Sequence, residues 1–284
     1  MSLDRYPLRR MVAALSLATL AGCTGMNTTQ SGAIGVNRTQ YMSSMVPSQA
    51  LEQEANQQYA DIIKQAQAKN LLDRDAQQVA RVRAISQRLI AQTGVFRPDA
   101  SAWKWEVHVL TSDEVNAWCM PGGKIAVYTG LINKIKPTDD ELAAVLGHEI
   151  SHALREHARE RVSQQMATNL GLQVLSIATG SSAASDLGGK LSDVMFTLPN
   201  SRTHETEADR MGVELAARAG FDPRAAVTLW QKMGAADNGS APPEILSTHP
   251  SAASRITDLQ GAAQQVLPLY EQSKGRAARW CAVP

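Results

Sequence analysis

Residues 148–152 read His148-Glu149-Ile150-Ser151-His152, and this H-E-x-x-H run constrains the fold more than any other stretch. Two imidazoles can hold one ion only if they share a face, which an α-helix provides at positions i and i+4. Glu149 then falls on the flank of that face, where its carboxylate can take a proton from a water activated by the metal. The flanking residues predict such a helix. Thr138-Asp139-Asp140-Glu141 supplies hydroxyl and carboxylate groups for a helix N-terminus directly after Pro137. Leu142, Val145, Leu146, His148, Glu149 and His152 then recur at helical spacing, which aims the histidines into protein. An amphipathic helix with two hydrogen-bonded core histidines is the plain structural reading of the same residues. His157 is rotated off the stripe and reads as a surface histidine beside Arg155 and Arg159.

A catalytic zinc site takes three protein ligands and leaves one position open. Ser201-Arg202-Thr203-His204-Glu205-Thr206-Glu207-Ala208-Asp209 opens a second helical pattern, which continues through Met211, Val213, Leu215 and Ala216 to Gly220. Glu205 and Glu207 are separated by about 200° of helix rotation, so they cannot both face one metal. Glu205 shares a face with Asp209, which favours Glu205 as the ligand and Asp209 as acceptor of a ligating histidine's free ring N–H. Small Ala208 and Gly212 would let this helix approach another closely. An acidic first turn stabilised only by the helix dipole would look similar. His204 precedes the pattern and is left without a role.

These two motifs, in this order, resemble those of the HtpX/CAAX-prenyl-protease-type gluzincin metallopeptidases, closest to the periplasmic LoiP-like and BepA-like lipoproteins (the latter in the peptidase domain only). Asn116-Ala117-Trp118-Cys119-Met120-Pro121-Gly122-Gly123, followed by Ile125-Ala126-Val127-Tyr128-Thr129-Gly130-Leu131, is similar to the family's N-A-x-x-x-P-G-G stretch. Ser247-Thr248-His249-Pro250, with Arg255 beyond it, is similar to its C-terminal His-Pro…Arg element. The match runs from about residue 75 to 265. No tetratricopeptide pattern follows it, and the chain lacks the several long apolar spans of polytopic members.

The resemblance implies an α+β fold: a mostly helical zincin-type domain with a small β-sheet whose edge strand flanks the active-site helix. It implies one zinc ion held by His148, His152 and Glu205, with Glu149 as general base and Asp209 as the orienting carboxylate. His249 and Arg255 are then candidates for stabilising the tetrahedral oxyanion. His249 has a rival role, occupying the open coordination position and keeping the enzyme latent, and a bland one, starting a turn. Asn116, Pro121, Gly122 and Gly123 mark the candidate substrate edge, where an unfolded polypeptide could add as a strand. The Lys124–Tyr128 run is the strand read as that edge. A plain hairpin without a substrate role would carry the same residues.

Arg5, Arg9 and Arg10 precede a short apolar stretch, Met11 to Leu20, that ends in Leu20-Ala21-Gly22-Cys23. This resembles a bacterial lipoprotein signal cleaved before Cys23, with lipid on that cysteine; an ordinary secretory signal with a chance cysteine is the alternative. Thr24 follows, not an aspartate, which points to the outer rather than the inner membrane. The expected organisation is therefore a signal peptide over 1–22, a lipidated N-terminus and flexible tether over 23–50, a metallopeptidase domain over 51–270 and a tail over 271–284. Loss of residues 1–22 would remove three arginines and one aspartate from 28 basic and 27 acidic residues, leaving a formal charge of −1. No basic run interleaves with aromatics, so nucleic acid is not an expected partner. In an oxidising compartment Cys119 and Cys281 invite a disulfide.

Within the domain, a polar helix is expected over about 51–70 and another over 73–92, with Val79, Val82, Ile85 and Leu89 on one side. Trp103, Trp105, Val107 and Val109 alternate with Lys104, Glu106 and His108, predicting a half-buried strand with His108 on its solvent side. Residues 180–189, rich in Gly, Ser and Ala, have the composition of a lid or of a simple connection. Three functions fit: an endopeptidase for misfolded or unassembled envelope proteins, a chaperone-like assembly lipoprotein that seldom cuts, and a structural zinc lipoprotein with a permanent fourth ligand.

Overall fold

The computed structural model describes residues 23–179, 195–235, 244–250 and 254–281. The helix predicted around residues 148–152 forms over Asp139–Leu154. It starts in a reciprocal cap: Thr138 Oγ1 accepts from the Glu141 N–H and Glu141 Oε2 accepts from the Thr138 N–H. Its residues from Glu141 to Leu154 are all buried, so the helix occupies the interior and carries His148, Glu149 and His152 there among apolar neighbours.

Around it the chain forms β1 (Cys23–Met26), β2 (Gln40–Ser43), α1 (Ser48–Ala68), α2 (Ala76–Ile90), β3 (Glu106–Leu110), β4 (Ala117–Met120), β5 (Lys124–Tyr128), α3 (the central helix, Asp139–Leu154), α4 (His157–Thr179), α5 (Arg202–Arg218), α6 (Ala225–Ala235), α7 (Glu244–Thr248) and α8 (Arg255–Cys281). This is the α+β, mostly helical arrangement. Helix α3 packs most extensively on α5. The crossing is close because both helices present glycine there. A Cβ on Gly147 would lie 2.8 Å from the Gly212 carbonyl oxygen, and one on Gly212 would lie 2.7 Å from the His148 nitrogen. Leu142, Leu146, Ile150, Met211 and Leu215 are fully buried in the surrounding core, each contributing about 1.5–3 kcal/mol by apolar transfer. No helix of the described residues is long and apolar enough to cross a membrane.

The sheet has the order β3-β5-β4, parallel on one side of β5 and antiparallel on the other. Both faces are covered. Ile125 and Val127 enter the main core, while Ala126 joins a second cluster with Leu51, Ala55 and Tyr59 of α1. The Tyr59 hydroxyl donates to the Ile125 carbonyl (3.0 Å). The Pro121-Gly122-Gly123 turn joins β4 to β5 with φ of +79° and +82° at the two glycines, a backbone that L side chains avoid.

Several expectations change. The Lys124–Tyr128 run is the central strand, not the edge; the edge beside α3 is β4, since β5 is paired on both sides. Trp103 and Trp105 precede β3 and stack on each other (5.4 Å between centroids). His108 is half-buried, with Nδ1 2.7 Å from Asp73 Oδ2, rather than freely solvated. Residues 24–50 are not a loose tether. β1 pairs with β2, Ile34 and Val36 enter the main core, and the Ala33 and Ile34 N–H groups donate to the Glu214 carboxylate. Polar composition concealed these few buried anchors. The boundary at 270 falls inside α8, where Ser273 Oγ donates to the Ala217 carbonyl (3.2 Å). Cys119 is a free, buried thiol, so the bridge to Cys281 is not formed; its position in β4 seals it between sheet and α3. The signal segment and the 180–189 stretch read as a lid lie outside the described residues.

Candidate metal centre

Three helices bring the site together. Helix α3 supplies His148, Glu149 and His152, α5 supplies Glu205 and Asp209, and the turn after α7 supplies His249. The Ser201 hydroxyl caps α5 by accepting from the His204 N–H, which places Glu205 in the first turn. One ligand atom from each of His148, His152, Glu205 and His249 lies within 4.8 Å of all the others. His148 Nε2 is 3.0 Å from His152 Nε2 and 3.4 Å from Glu205 Oε2, and His152 Nε2 is 3.4 Å from Glu205 Oε1. His249 Nδ1 stands 3.2 Å from His148 Nε2 and 3.0 Å from Glu205 Oε1.

These separations fit a metal. Ligands on a tetrahedral zinc with bonds of about 2.0–2.1 Å lie about 3.3 Å apart. His148 Nδ1 is 2.9 Å from Asp209 Oδ1, which accepts its proton and leaves Nε2 bare toward the cluster. Glu205 Oε2 makes no hydrogen bond among the described residues. Converging bare nitrogens and a carboxylate oxygen without a hydrogen bond are costly in a buried site, and a cation satisfies them together. Electrostatics agree. Burial opposes charge on His148, but Glu205 and Asp209 outweigh it and hold its pKa up at about 10. Burial would raise Glu205 likewise, yet His249 and His148 hold it well below the carboxylate range.

Among the described residues Glu149 Oε1 has no hydrogen-bond partner, and it lies 3.5 Å from His249 Nε2; burial pushes its pKa up. It lines a cleft of about 440 Å³ with Trp118, Pro121, His152, Asn200 and His249. Asn116 Oδ1 accepts from the Ala117 N–H (2.9 Å), so this side chain braces the start of β4. Pro121 borders both the cleft and a neighbouring hollow of about 830 Å³ that reaches Trp103 and Glu52. A Cβ on Gly122 would strike Glu52, and one on Gly123 would strike Trp105.

Arg255 is not placed as an oxyanion donor. Its Nη2 donates to Asp209 Oδ1 (2.7 Å), its Nη1 lies 3.3 Å from Glu205 Oε2, and its guanidinium covers the Trp230 ring at 3.3 Å. It stands behind the ligands and holds their carboxylates. His157 is not a surface residue either. It is buried, with Nδ1 2.8 Å from His152 Nδ1 and Nε2 3.0 Å from Glu207 Oε2, and burial pushes its pKa down to about 3. The phase argument failed because α3 stops at Leu154, Glu156 turns at φ +51°, and His157 begins a new helix. Glu207 faces away from Glu205's side and pairs with Arg155, which is fully buried, and with Arg38. His204, unassigned from sequence, lies inside α5 with Nε2 3.1 Å from Glu160 Oε2. Sequence reasoning missed His157, Glu207, Arg155 and Arg38; the only signal was the density of charge in Arg155–Arg161 directly after the buried metal helix.

The model of peptidase family M48 matches residues 76–263. The chain belongs to this family. As an M48 protein it is 40% identical over 170 residues to "Mitochondrial metalloendopeptidase OMA1" of Arabidopsis thaliana, covering 59% of this chain and 34% of that one. Identity to the Bos taurus protein "Metalloendopeptidase OMA1, mitochondrial" is 38% over 213 residues, 71% of this chain and 40% of the relative. To "Beta-barrel assembly-enhancing protease" of Escherichia coli it is 35% over 178 residues, 58% and 36% respectively. The chain spans only about a third to two fifths of the length of these three relatives.

Proposed function

We propose that this M48 chain is a zinc-dependent endopeptidase of the bacterial envelope, anchored by lipid at Cys23 on the periplasmic side, with the outer membrane as its site. Its substrates are misfolded or unassembled envelope polypeptides. The observation that carries the catalytic reading is the convergence of His148, His152 and Glu205 with the unpartnered Glu149 carboxylate at the wall of a cleft. For the compartment, mitochondrial and bacterial names occur among the relatives, so the support comes from Leu20-Ala21-Gly22-Cys23 and from the E. coli relative's name.

His148, His152 and Glu205 would hold the ion. When bound, zinc supplies Lewis acidity, activating a water and polarising the scissile carbonyl. Glu149 accepts a proton from the attacking water and delivers one to the leaving amine. Asp209 keeps the His148 proton on Nδ1, and Arg255 holds the Asp209 and Glu205 carboxylates in place. An extended substrate lies along β4, the sheet's edge beside α3, where main-chain hydrogen bonds read backbone without regard to side chains. Glu149→Gln should retain one zinc per chain and lose unfolded-casein cleavage by a factor of about 10²–10⁴. Retained cleavage would end the reading. Cys23→Ala should move the protein from the membrane to the soluble fraction.

His249 favours a second reading of the same site, a latent or chaperone-like lipoprotein, because it stands where the fourth ligand belongs. As a cap, its replacement by Ala raises turnover; as an oxyanion donor, the same change lowers it with zinc retained. Loss of zinc without any activity would instead mark a structural site.

A further inference from the structure

We propose that the N-terminal segment is a strut of the metal centre, in which Arg38 acts through Glu207 and His157 to fix the ring of His152. The inference rests on the assignment of His152 as a ligand. Its observation is a continuous line of buried polar contacts that the catalytic steps do not use.

Only one arrangement of protons satisfies this line. His152 turns Nε2 toward the ligand cluster, so that nitrogen is bare and the ring proton sits on Nδ1. Nδ1 then donates to His157 Nδ1 at 2.8 Å. His157 must accept there, so its own proton sits on Nε2 and is donated to Glu207 Oε2 at 3.0 Å. Glu207 has to be a carboxylate to receive it. Two arginines keep it so: Arg155 donates to both its oxygens at 3.3 and 3.0 Å, and Arg38 at 2.8 and 3.1 Å. The two imidazoles are both buried, and their rings sit edge to face at 4.9 Å, so each direction in the line is set by the next contact. His148 receives a carboxylate directly; His152 receives one through an intervening imidazole. The physical effect is the same, a fixed tautomer and a more basic ligand nitrogen.

Arg38 makes this a property of the N-terminal segment. Its guanidinium bridges Glu207 and Glu160 through four hydrogen bonds. Gln40 Nε2 adds bonds to Glu160 and to the Arg155 carbonyl, and the Glu214 carboxylate holds the Ala33 and Ile34 amides. The segment is thus docked at both ends of the Arg38 contact. Lysine could not replace Arg38, since a single ammonium lacks the fork that serves two carboxylates.

The test measures zinc affinity of the full chain by competition with a chromophoric chelator, and the visible spectrum of the cobalt(II)-loaded protein. Arg38→Ala, on a partly exposed residue, should weaken zinc about tenfold and shift the cobalt bands, and His157→Phe should weaken it by about ten- to a hundredfold. Lys232→Met, which cuts an ion pair to Glu141 away from the site, should change neither. Zinc affinity within about twofold of wild type and an unmoved cobalt spectrum in Arg38→Ala would overturn the strut, whether or not His157→Phe folds. His152→Ala separates the two levels: if it keeps its zinc with wild-type affinity, the assignment of His152 as a ligand is itself wrong and the strut falls with it.

Discussion

The two histidines of the metal helix are braced in different ways. Behind His148, a carboxylate from the neighbouring helix makes direct contact, Asp209 Oδ1 at 2.9 Å, and Arg255 secures it from the far side. Behind His152 the carboxylate is one ring further away: His157 intervenes, Glu207 follows, and the securing arginines come from the end of α3 and from the N-terminal segment. The direct brace joins two helices that pack closely where they cross at Gly147 and Gly212. The relayed brace depends on a helix break and on a segment far away in sequence. Equal chemistry at the metal is therefore reached with unequal mechanical security.

The largest effect that could break this comparison is Asp209→Asn. An amide can still meet His148 Nδ1, but it also offers an N–H, removes the partner of Arg255 and no longer fixes one tautomer. Zinc affinity should fall by about ten- to a hundredfold, more than for Arg38→Ala, with the fold retained by circular dichroism. Asp209→Asn and Arg38→Ala together should lose the product of the two factors, because they act on different imidazoles. An equal or smaller loss in Asp209→Asn than in Arg38→Ala would show that the relayed side is the more important one.

The same contrast decides what was legible in the sequence. His148, His152, Glu205 and Asp209 lie within unbroken helices, so 3.6-residue phase alone puts them on the right faces. The same reasoning keeps Glu207 off the face of Glu205 but gives no hint that it points to Arg155, Arg38 and His157. His157 was misplaced because phase was carried through Glu156, whose backbone at φ +51° resets it. Ile34, Val36 and Arg38 lie in a stretch with no periodicity, where three anchoring contacts outweigh a polar average. The sheet order escaped for a different reason: strand content is a local property, but which strand is the edge depends on pairing between β3 and β5 across an intervening strand.

A middle-sized effect concerns acid stability and bears on the relayed side alone. Burial works to raise the Glu160 pKa, yet hydrogen bonds from Arg38, His204 and Gln40 outweigh it and hold it well below the usual carboxylate range. Glu156 is lowered in the same way by Arg97 and Arg159. A carboxylate with a depressed folded-state pKa stabilises the fold fully above its unfolded value, near 4.3, and loses that contribution as pH falls toward the folded value. In denaturant unfolding of the metal-free chain the contribution of these carboxylates should therefore be flat above about pH 5 and decline below it, superposed on the separate decline that buried, neutral His157 starts below about pH 6.5. Arg38→Ala should lower the plateau and shallow the decline. An unchanged acid limb in that variant would mean that Arg38 does not hold Glu160 in solution.

The smallest effect is the one that shows whether these braces are local at all. Glu141 closes the cap of α3, accepting from the Thr138 N–H, and also receives Lys232 at 2.6 Å and Thr228 at 2.8 Å. The Lys232 side chain is 42% exposed, so the pair is screened and its loss should cost about 1 kcal/mol or less. Glu141 keeps its hydroxyl and amide donors and the favourable N-terminal field of the helix. Lys232→Met should thus lower the unfolding free energy slightly and leave zinc affinity where it was. A tenfold loss of zinc in this variant would mean that α3 passes any disturbance along its length to His148 and His152. The distinction between direct and relayed bracing would then describe how firmly a helix is seated, and not which hydrogen bond stands behind each ring.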